Sequence, residues 1–240
     1  MIGGFIVTGT MPKKVIVRAI GPSLQNSLPA ALRDPVLQLR ASDGSLIREN
    51  DNWRDDAAQA AEIEASGVAP KNDLESAIVA TLAPGNYTAA VTGKNGATGI
   101  GLVEVYDLNR WGDCKLANIS TRGLVASAEN VLIGGFILGG ADSNTTVLLR
   151  AIGPSLASVG VTNPLANPTL ELRDSNGALL LANDNWKDQQ QNAIEQTGIA
   201  PNDSLESAIL ADLAPGAYTA IVAGKDAASG IALIEVYNLR

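Results

Sequence analysis

The side chains of this sequence that could do chemistry are its carboxylates. The 240 residues include no histidine, which removes the commonest general base, every triad built on that residue and the commonest zinc ligand. Ser23 and Ser155 stand in GPSL strings, not in a GxSxG elbow, and the Gly-rich stretch Gly93–Gly99 lacks the order of a phosphate-binding loop and reads as a hairpin turn. The acidic residues do cluster. Asp51, Asn52, Asp55 and Asp56, with Asp73 and Glu75 near in the expected fold, offer hard oxygen ligands of the kind calcium takes, about six to eight at a time. The second half offers Asp184, Asn185, Asp188, Asp203 and Glu206. The spacing is not that of an EF-hand, and the alternative to a calcium site is that these side chains cap the following helix and bond their own backbone. A glycosidase would need two carboxylates facing each other across a cleft. Duplicate compact modules provide no obvious cleft, so the chain is read as having no enzymatic activity.

Four more charges sit where apolar residues are expected. Arg18 and Arg150 lie within VIVRAI and LLRAI, and Glu104 and Glu235 within LVEVY and LIEVY. Buried, each would need a partner, and Arg with Glu makes a bidentate pair; the pairs Arg18–Glu104 and Arg150–Glu235 are therefore expected within each half. The alternative places all four on a solvent-facing sheet surface. Trp53 and Trp186 each follow an Asp-Asn pair. A tryptophan beside a helix start reads as a core plug, the alternative being a stacking surface for a sugar.

These residues recur because the chain is duplicated. RAIGPSL runs from Arg18 to Leu24 and returns from Arg150 to Leu156, and IGGFI, DNW, LESAI, LAPG, YTA and EVY recur around it in the same order. The interval drifts only slightly, which predicts single-residue insertions in loops. Residues 1–110 form repeat 1, residues 131–240 repeat 2, and residues 111–130 a linker whose segments Leu116–Ser120 and Gly123–Ser127 add one or two strands to repeat 2. Repeat 1 has no counterpart of those strands. Either the chain is cut from a longer array, or a strand position in repeat 1 stays empty and a strand from another molecule can fill it.

Within each repeat the periodicity is that of strands. Lys14–Ile20 alternates with period two and ends at Gly21-Pro22. Asp43-Gly44 and Asn176-Gly177 join short apolar runs as hairpins. Asp55–Ala65 and Asp188–Gln196 change period and read as short helices begun by Asp and closed by Gly67 and Gly198. Further strands, with turns at short regular spacing, complete two tandem antiparallel β-sandwiches, Ig-like or jelly-roll-like, in an all-β chain.

Composition sets the remaining bounds. The net charge is −8, with no Lys/Arg cluster, so nucleic acid and anionic membrane are poor partners. The apolar opening Met1–Thr10 lacks a basic n-region and contains IGGFI, so it reads as a first strand and not as a signal peptide or membrane span. Cys114 is the one cysteine, which excludes a disulfide framework and reads as a tolerated linker thiol.

The second part of each repeat resembles the bacterial pre-peptidase C-terminal type of β-sandwich. The resemblance rests on Leu37, Leu39, Asp43 and Gly44, on Leu170, Leu172, Asn176 and Gly177, and on the LAPGxYTAxVxGK stretch that leads to a GxxLxEVY strand. The whole unit is similar to a tandem repeat of large secreted or surface proteins of environmental bacteria. That resemblance implies an extracellular or cell-surface module without catalysis, calcium-binding in some relatives: a surface-layer, filament or adhesin spacer. Its partners would be like subunits or neighbouring repeats, joined by strand addition. The alternative is a calcium-dependent or polysaccharide-binding accessory module of a secreted enzyme.

Overall fold

Val15, Ile16 and Val17 are all fully buried, although alternate residues of a strand point to opposite faces. Their strand must therefore be covered on both sides, and each half of the chain is built in three layers for that reason. The computed structural model describes residues 1–109, 113–126, 130–139 and 143–239. The chain divides into two compact units, Met1–Ala117 and Asn118–Arg240.

In the first unit β1 (Ile2–Gly9), β3 (Pro35–Ala41), β4 (Leu46–Asn50) and β6 (Gly85–Gly93) form one sheet in the order β1-β6-β3-β4. Facing it is a sheet of β5 (Ser76–Leu82), β2 (Lys13–Ile20) and β7 (Leu102–Asp107), in the order β5-β2-β7. The helix α1 (Ala57–Ala65) lies on the outer side of that sheet, where Ile63 and Trp53 pack on Ile16, Ala77 and Val79. Burying Ile63 contributes about 2 kcal/mol to seating the helix.

The strand β8 (Cys114–Val125) spans the boundary between the units, and among the described residues of the linker it is one strand, within the one or two expected. In the second unit β9 (Leu132–Leu138), β11 (Pro168–Arg173), β12 (Leu179–Asn183) and β14 (Gly216–Gly224) form a sheet ordered β12-β11-β14-β9. The opposing sheet runs β13 (Ser207–Leu213), β10 (Thr145–Ile152), β15 (Gly230–Asn238) and then the Asn118–Val125 part of β8. Every ladder described within the units is antiparallel. Each unit is an antiparallel β-sandwich with one short α-helix.

The expected hairpins form between β3 and β4 and between β11 and β12. Gly44 donates to the Ala41 carbonyl and takes φ +82°, and Ala41 N donates to the Ser45 carbonyl, so the turn closes on a left-handed glycine; a separate bulge shifts the register between Leu39 and Arg40.

The two helices begin differently. Asp56 Oδ1 accepts from the Ala58 and Gln59 amides and caps α1. The second helix, α2 (Gln191–Gln196), starts only after Gln190 in a left-handed conformation with no side-chain cap, and Asp188 is not its first residue as expected. The cause is a two-residue deletion, where single-residue changes were expected. Gln59 accepts from Val79 N and Gln190 accepts from the corresponding Leu210 N; three residues separate Asp55 from Gln59, but one separates Asp188 from Gln190. The deletion removes the capping position and the first helical turn.

Candidate functional site

The repeated string RAIGPSL is explained residue by residue by the turn it makes. Arg18 stands directly across from Glu104 in the β2–β7 ladder, as Arg150 does from Glu235 between β10 and β15. Arg18 Nε donates to Glu104 Oε2 at 3.0 Å, Tyr106 OH donates to Oε1 at 2.8 Å, and the guanidinium lies 5.0 Å from the Tyr106 ring centre. The second unit repeats this with Arg150, Glu235 and Tyr237 at 2.9, 2.9 and 5.1 Å. Nη2 of each arginine donates to the same glutamate oxygen, and Nη1 of Arg18 and of Arg150 donates to the Val68 and Ile199 carbonyls. The pairs therefore form, on the helix-covered face. Burial, then the Glu104 carboxylate, raises the Tyr106 phenol, and burial, then Glu235, pushes Tyr237 to about 12.

Ala19 and Ala151, next in the string, are fully buried. Gly21 and Gly153 follow because a Cβ there would lie 2.1 Å from the carbonyl oxygen of Leu32 or Leu165. Pro22 and Pro154 then start 3₁₀ turns whose leading amides point inward. Those amides meet the Glu of LESAI. Glu75 Oε1 accepts from Gly21 N and Ser23 N, and its Oε2 from Asn72 N, at 2.9–3.3 Å. Glu206 accepts from Gly153, Ser155 and Asp203 amides at 3.0–3.2 Å. Both carboxylates are fully buried, so the two most conspicuous repeated motifs are the halves of one clamp.

The other residues named as calcium ligands are dispersed around this clamp. Asp51 Oδ2 lies 2.6 Å from Lys94 Nζ, and Asp184 Oδ2 lies 2.5 Å from Lys225 Nζ; the carboxylates hold both ammonium groups above the usual lysine range. Asn52 Nδ2 donates to Asp55 Oδ2, and Asn185 Nδ2 to Asp188 Oδ2. Asp73 is on the surface against Arg54. Asp203 takes the place of Asn72, not of Asp73: its carbonyl accepts from the Trp186 indole, as the Asn72 carbonyl does from Trp53. Among the described residues no three His, Cys, Asp or Glu side chains are grouped so that they could hold a metal ion. One feature stays unaccounted for in both copies: Asn52 Oδ1 and Asn185 Oδ1 are buried without a donor.

The aromatic residues are absorbed in the same way. Trp53 and Trp186 are 2% and 4% exposed, and Arg54 and Lys187 cover their rings. Tyr87 and Tyr218 stack on Phe5 and Phe136 and donate to the Ala83 and Ala214 carbonyls. Cys114 is buried, with Sγ 3.6 Å from the Pro12 carbonyl oxygen.

What the shared constellations leave open is a sheet edge. β7 ends its three-stranded sheet, and among the described residues no strand pairs with its outer side. Ile100 and Leu102 are 45% and 42% exposed there. The corresponding β15 is paired on both sides. The sequence left an empty strand position in repeat 1 as one of two alternatives, the other being a chain cut from a longer array, and gave no sign of the clamp.

No family model and no curated protein matches the chain. Among solved structures, the STIV MCP is 12% identical, covering 98% of this chain and 92% of its own, at a TM-score of 0.28. A chain from the atomic structure of Sulfolobus Turreted Icosahedral Virus is 11% identical, covering 98% of this chain and 86% of its own, at 0.27. Likeness so slight transfers no property of those proteins to this one.

Proposed function

We propose that the chain is a non-catalytic structural repeat, a surface-layer, filament or adhesin spacer working outside the cell or at its surface, which joins like units through strand edges. The observation that carries this reading is the unpaired outer edge of β7, apolar and exposed where the duplicate unit is closed. It is supported by the use made of the shared polar residues. Arg18, Glu75, Glu104 and Trp53 and their counterparts all bond groups of their own unit, which suits a scaffold more than a site that turns over a substrate.

The test is sedimentation velocity at rising protein concentration, with and without Leu102→Lys. Lysine on an exposed edge opposes strand pairing, so the wild-type chain grows in mass with concentration and the variant grows less. A constant single-chain mass for the wild type at every concentration overturns the reading.

One observation favours a calcium-stabilised form of the same module, namely the donorless Asn52 and Asn185 oxygens in matching positions. Each lies in the same Asp-Asn pair as a carboxylate that a lysine ammonium occupies. A calcium ion would have to displace that lysine. The unfolding midpoint in calcium against chelator decides: binding to the native state raises it by mass action, and an unchanged midpoint rejects the calcium form.

A further inference from the structure

The chain holds two Asn-Gly pairs, Asn95-Gly96 and Asn176-Gly177, and they are presented in opposite ways. An asparagine followed by glycine can cyclise, because the glycine amide nitrogen can reach the asparagine side-chain carbonyl carbon with no Cβ to hinder it. A hydrogen bond on that nitrogen has to break before it attacks. Gly177 N carries one: it donates to the Asp174 carbonyl at 3.0 Å, while Asp174 Oδ1 accepts from the Asn176 and Ala178 amides on either side. At the other pair, among the described residues, neither the Gly96 amide nor the Asn95 side chain has a hydrogen-bond partner.

The turn is also poised for ring closure. Asn95 has φ 55° and ψ 28°, Gly96 has φ 77°, and Ala97 N donates to the Lys94 carbonyl at 3.1 Å, which are the dihedrals and the closing bond of a type I′ turn. Closure needs an asparagine ψ of about −120°, the value in a type II′ turn, which shares the positive φ at Asn95. One rotation of the Asn95–Gly96 peptide plane therefore leads from the resting turn to the reactive one with the Lys94–Ala97 bond kept, and glycine accepts the negative φ that results. Both residues are exposed, and a Cβ built on Gly96 meets no atom within 4 Å. The second unit makes the same turn with Lys225, Asp226 and Ala227, where Asp226 has φ 54° and ψ 34° and Ala228 N donates to the Lys225 carbonyl. Asp226 and Ala227 are exposed too, although β15 beside them is paired on both sides. The exposure of Asn95 and Gly96 thus belongs to the turn and not to the open edge of β7, and an aspartate in Asn95's position is already accommodated by this fold.

We propose that Asn95 is a site of self-modification, converted through attack by the Gly96 nitrogen into aspartate and isoaspartate. The Gly96 nitrogen gives up its proton and bonds to Asn95 Cγ, the Cγ–Nδ2 bond breaks, and the side-chain NH₂ leaves with a proton as ammonia, closing a succinimide. Water then adds to one of the two imide carbonyls and breaks its bond to the Gly96 nitrogen, which regains a proton. Opening at Cγ leaves aspartate, the residue the second unit has at Asp226. Opening at the main-chain carbonyl leaves isoaspartate, in which the chain runs through Cγ and is one methylene longer. No oxidant, reductant or cofactor enters. Either product places a carboxylate next to Lys94, whose ammonium already lies 2.6 Å from Asp51 and 3.7 Å from Asp34. The aspartate form makes the two turns alike in charge, whereas isoaspartate lengthens the connection from β6 to β7. This chemistry is independent of assembly through β7.

The experiment incubates the intact folded chain at mildly acidic and at mildly alkaline pH, then cleaves it at glutamates under acidic conditions, which keeps Ser76–Glu104 in one piece. Tandem mass spectrometry locates the change from amide to acid. Expected is first-order conversion at Asn95, faster at the higher pH because the attacking amide must lose its proton. It runs at least about tenfold faster than at Asn176, the scale of the one hydrogen bond that holds Gly177. In denaturant that bond is gone and the two sites convert at similar rates. Gly96→Ala slows conversion at Asn95 about tenfold or more, and the variant folds, since Ala227 takes φ 60° in the same turn. An unchanged Asn95 in the folded chain while the denatured chain converts, conversion of folded Asn176 as fast as Asn95, or no effect of Gly96→Ala overturns the proposal.

Discussion

Replacing Glu206 with alanine tests the clamp that orders each unit. The carboxylate accepts three backbone amides, from Gly153, Ser155 and Asp203, and its own residue is fully buried. Each amide left without an acceptor costs about 1–3 kcal/mol. Against this stands the desolvation of a buried charge, several kcal/mol, which the variant no longer bears. The net loss expected is about 3 kcal/mol. For a unit of this size each kcal/mol moves the midpoint by roughly 3–5 °C, so the second unit's transition falls by about 10–15 °C in scanning calorimetry. Glu206→Gln keeps one acceptor oxygen but turns an amide NH₂ toward one of the backbone donors, and loses about half as much. Glu75→Ala acts in the same way on the first unit. The measurement is repeated in chelator. A clamp made of backbone amides loses the same stability with and without calcium, whereas a calcium ligand loses it only with the ion present. A loss below about 1 kcal/mol in both conditions refutes the clamp.

Three further outcomes follow from the same geometry. Glu235→Gln breaks the largely buried pair with Arg150 and costs about 2–4 kcal/mol in denaturant unfolding, while Arg150→Met with Glu235→Leu recovers much of it; additivity of the two single changes would show that the groups do not interact. Gly153→Ala drives a Cβ to within 2.1 Å of the Leu165 oxygen and destabilises by about 2 kcal/mol or more, whereas Gly177→Ala meets no atom within 4 Å but strains a φ of +81° and costs about 1 kcal/mol. Tyr237 titrates near 12 in the folded chain, against about 10 when unfolded. Its folded value is raised, so its contribution is intact below about pH 10 and is lost as pH rises from about 10 to 12, and because solvent reaching the phenol screens it, the loss stays under about 2 kcal/mol; alkaline unfolding of Tyr237→Phe is flatter over that window, and an unchanged slope contradicts the raised value.

Strands and hairpins were legible because their signals are local. Period-two alternation in Lys14–Ile20 and the Gly44 turn depend on neighbours in sequence, and the strand, Lys13–Ile20, and the turn both appear where the pattern places them. The Arg18–Glu104 pair was legible for another reason: a charge kept in both copies of an apolar strand needs a partner, and each copy held one candidate of opposite sign in an equally apolar strand. The clamp was not legible. Glu75 was grouped with the calcium ligands because it is an acid near other acids, while its actual partners are backbone amides, which no side-chain pattern marks. The signal that was available is the GPS turn itself, which turns amides inward after a proline and so demands an acceptor. The start of α2 was missed because alignment on DNW conceals the two-residue deletion; only the shared role of Gln59 and Gln190 reveals it.

The duplication also separates what holds the fold from what the fold leaves available. Features identical in both units, the Arg–Glu–Tyr cluster, the glutamate clamp, the Trp plug and the stacked Phe–Tyr pair, are all satisfied within their own unit. The units differ at the head of the helix and along β7. The helix difference leaves both helices seated, since Ile63 and Ile194 are equally buried. The β7 difference leaves an exposed apolar edge beside an open hollow of ≈ 380 Å³ lined by Met1, Leu32, Val91 and Gly101. An exposed edge of that kind invites pairing, and a sequence that needed only to bury it could do so with a lysine at Leu102 or a larger side chain at Gly101. The chain has neither, so β7 is where the two units, alike in their shared polar clusters, differ in what their sheets leave exposed.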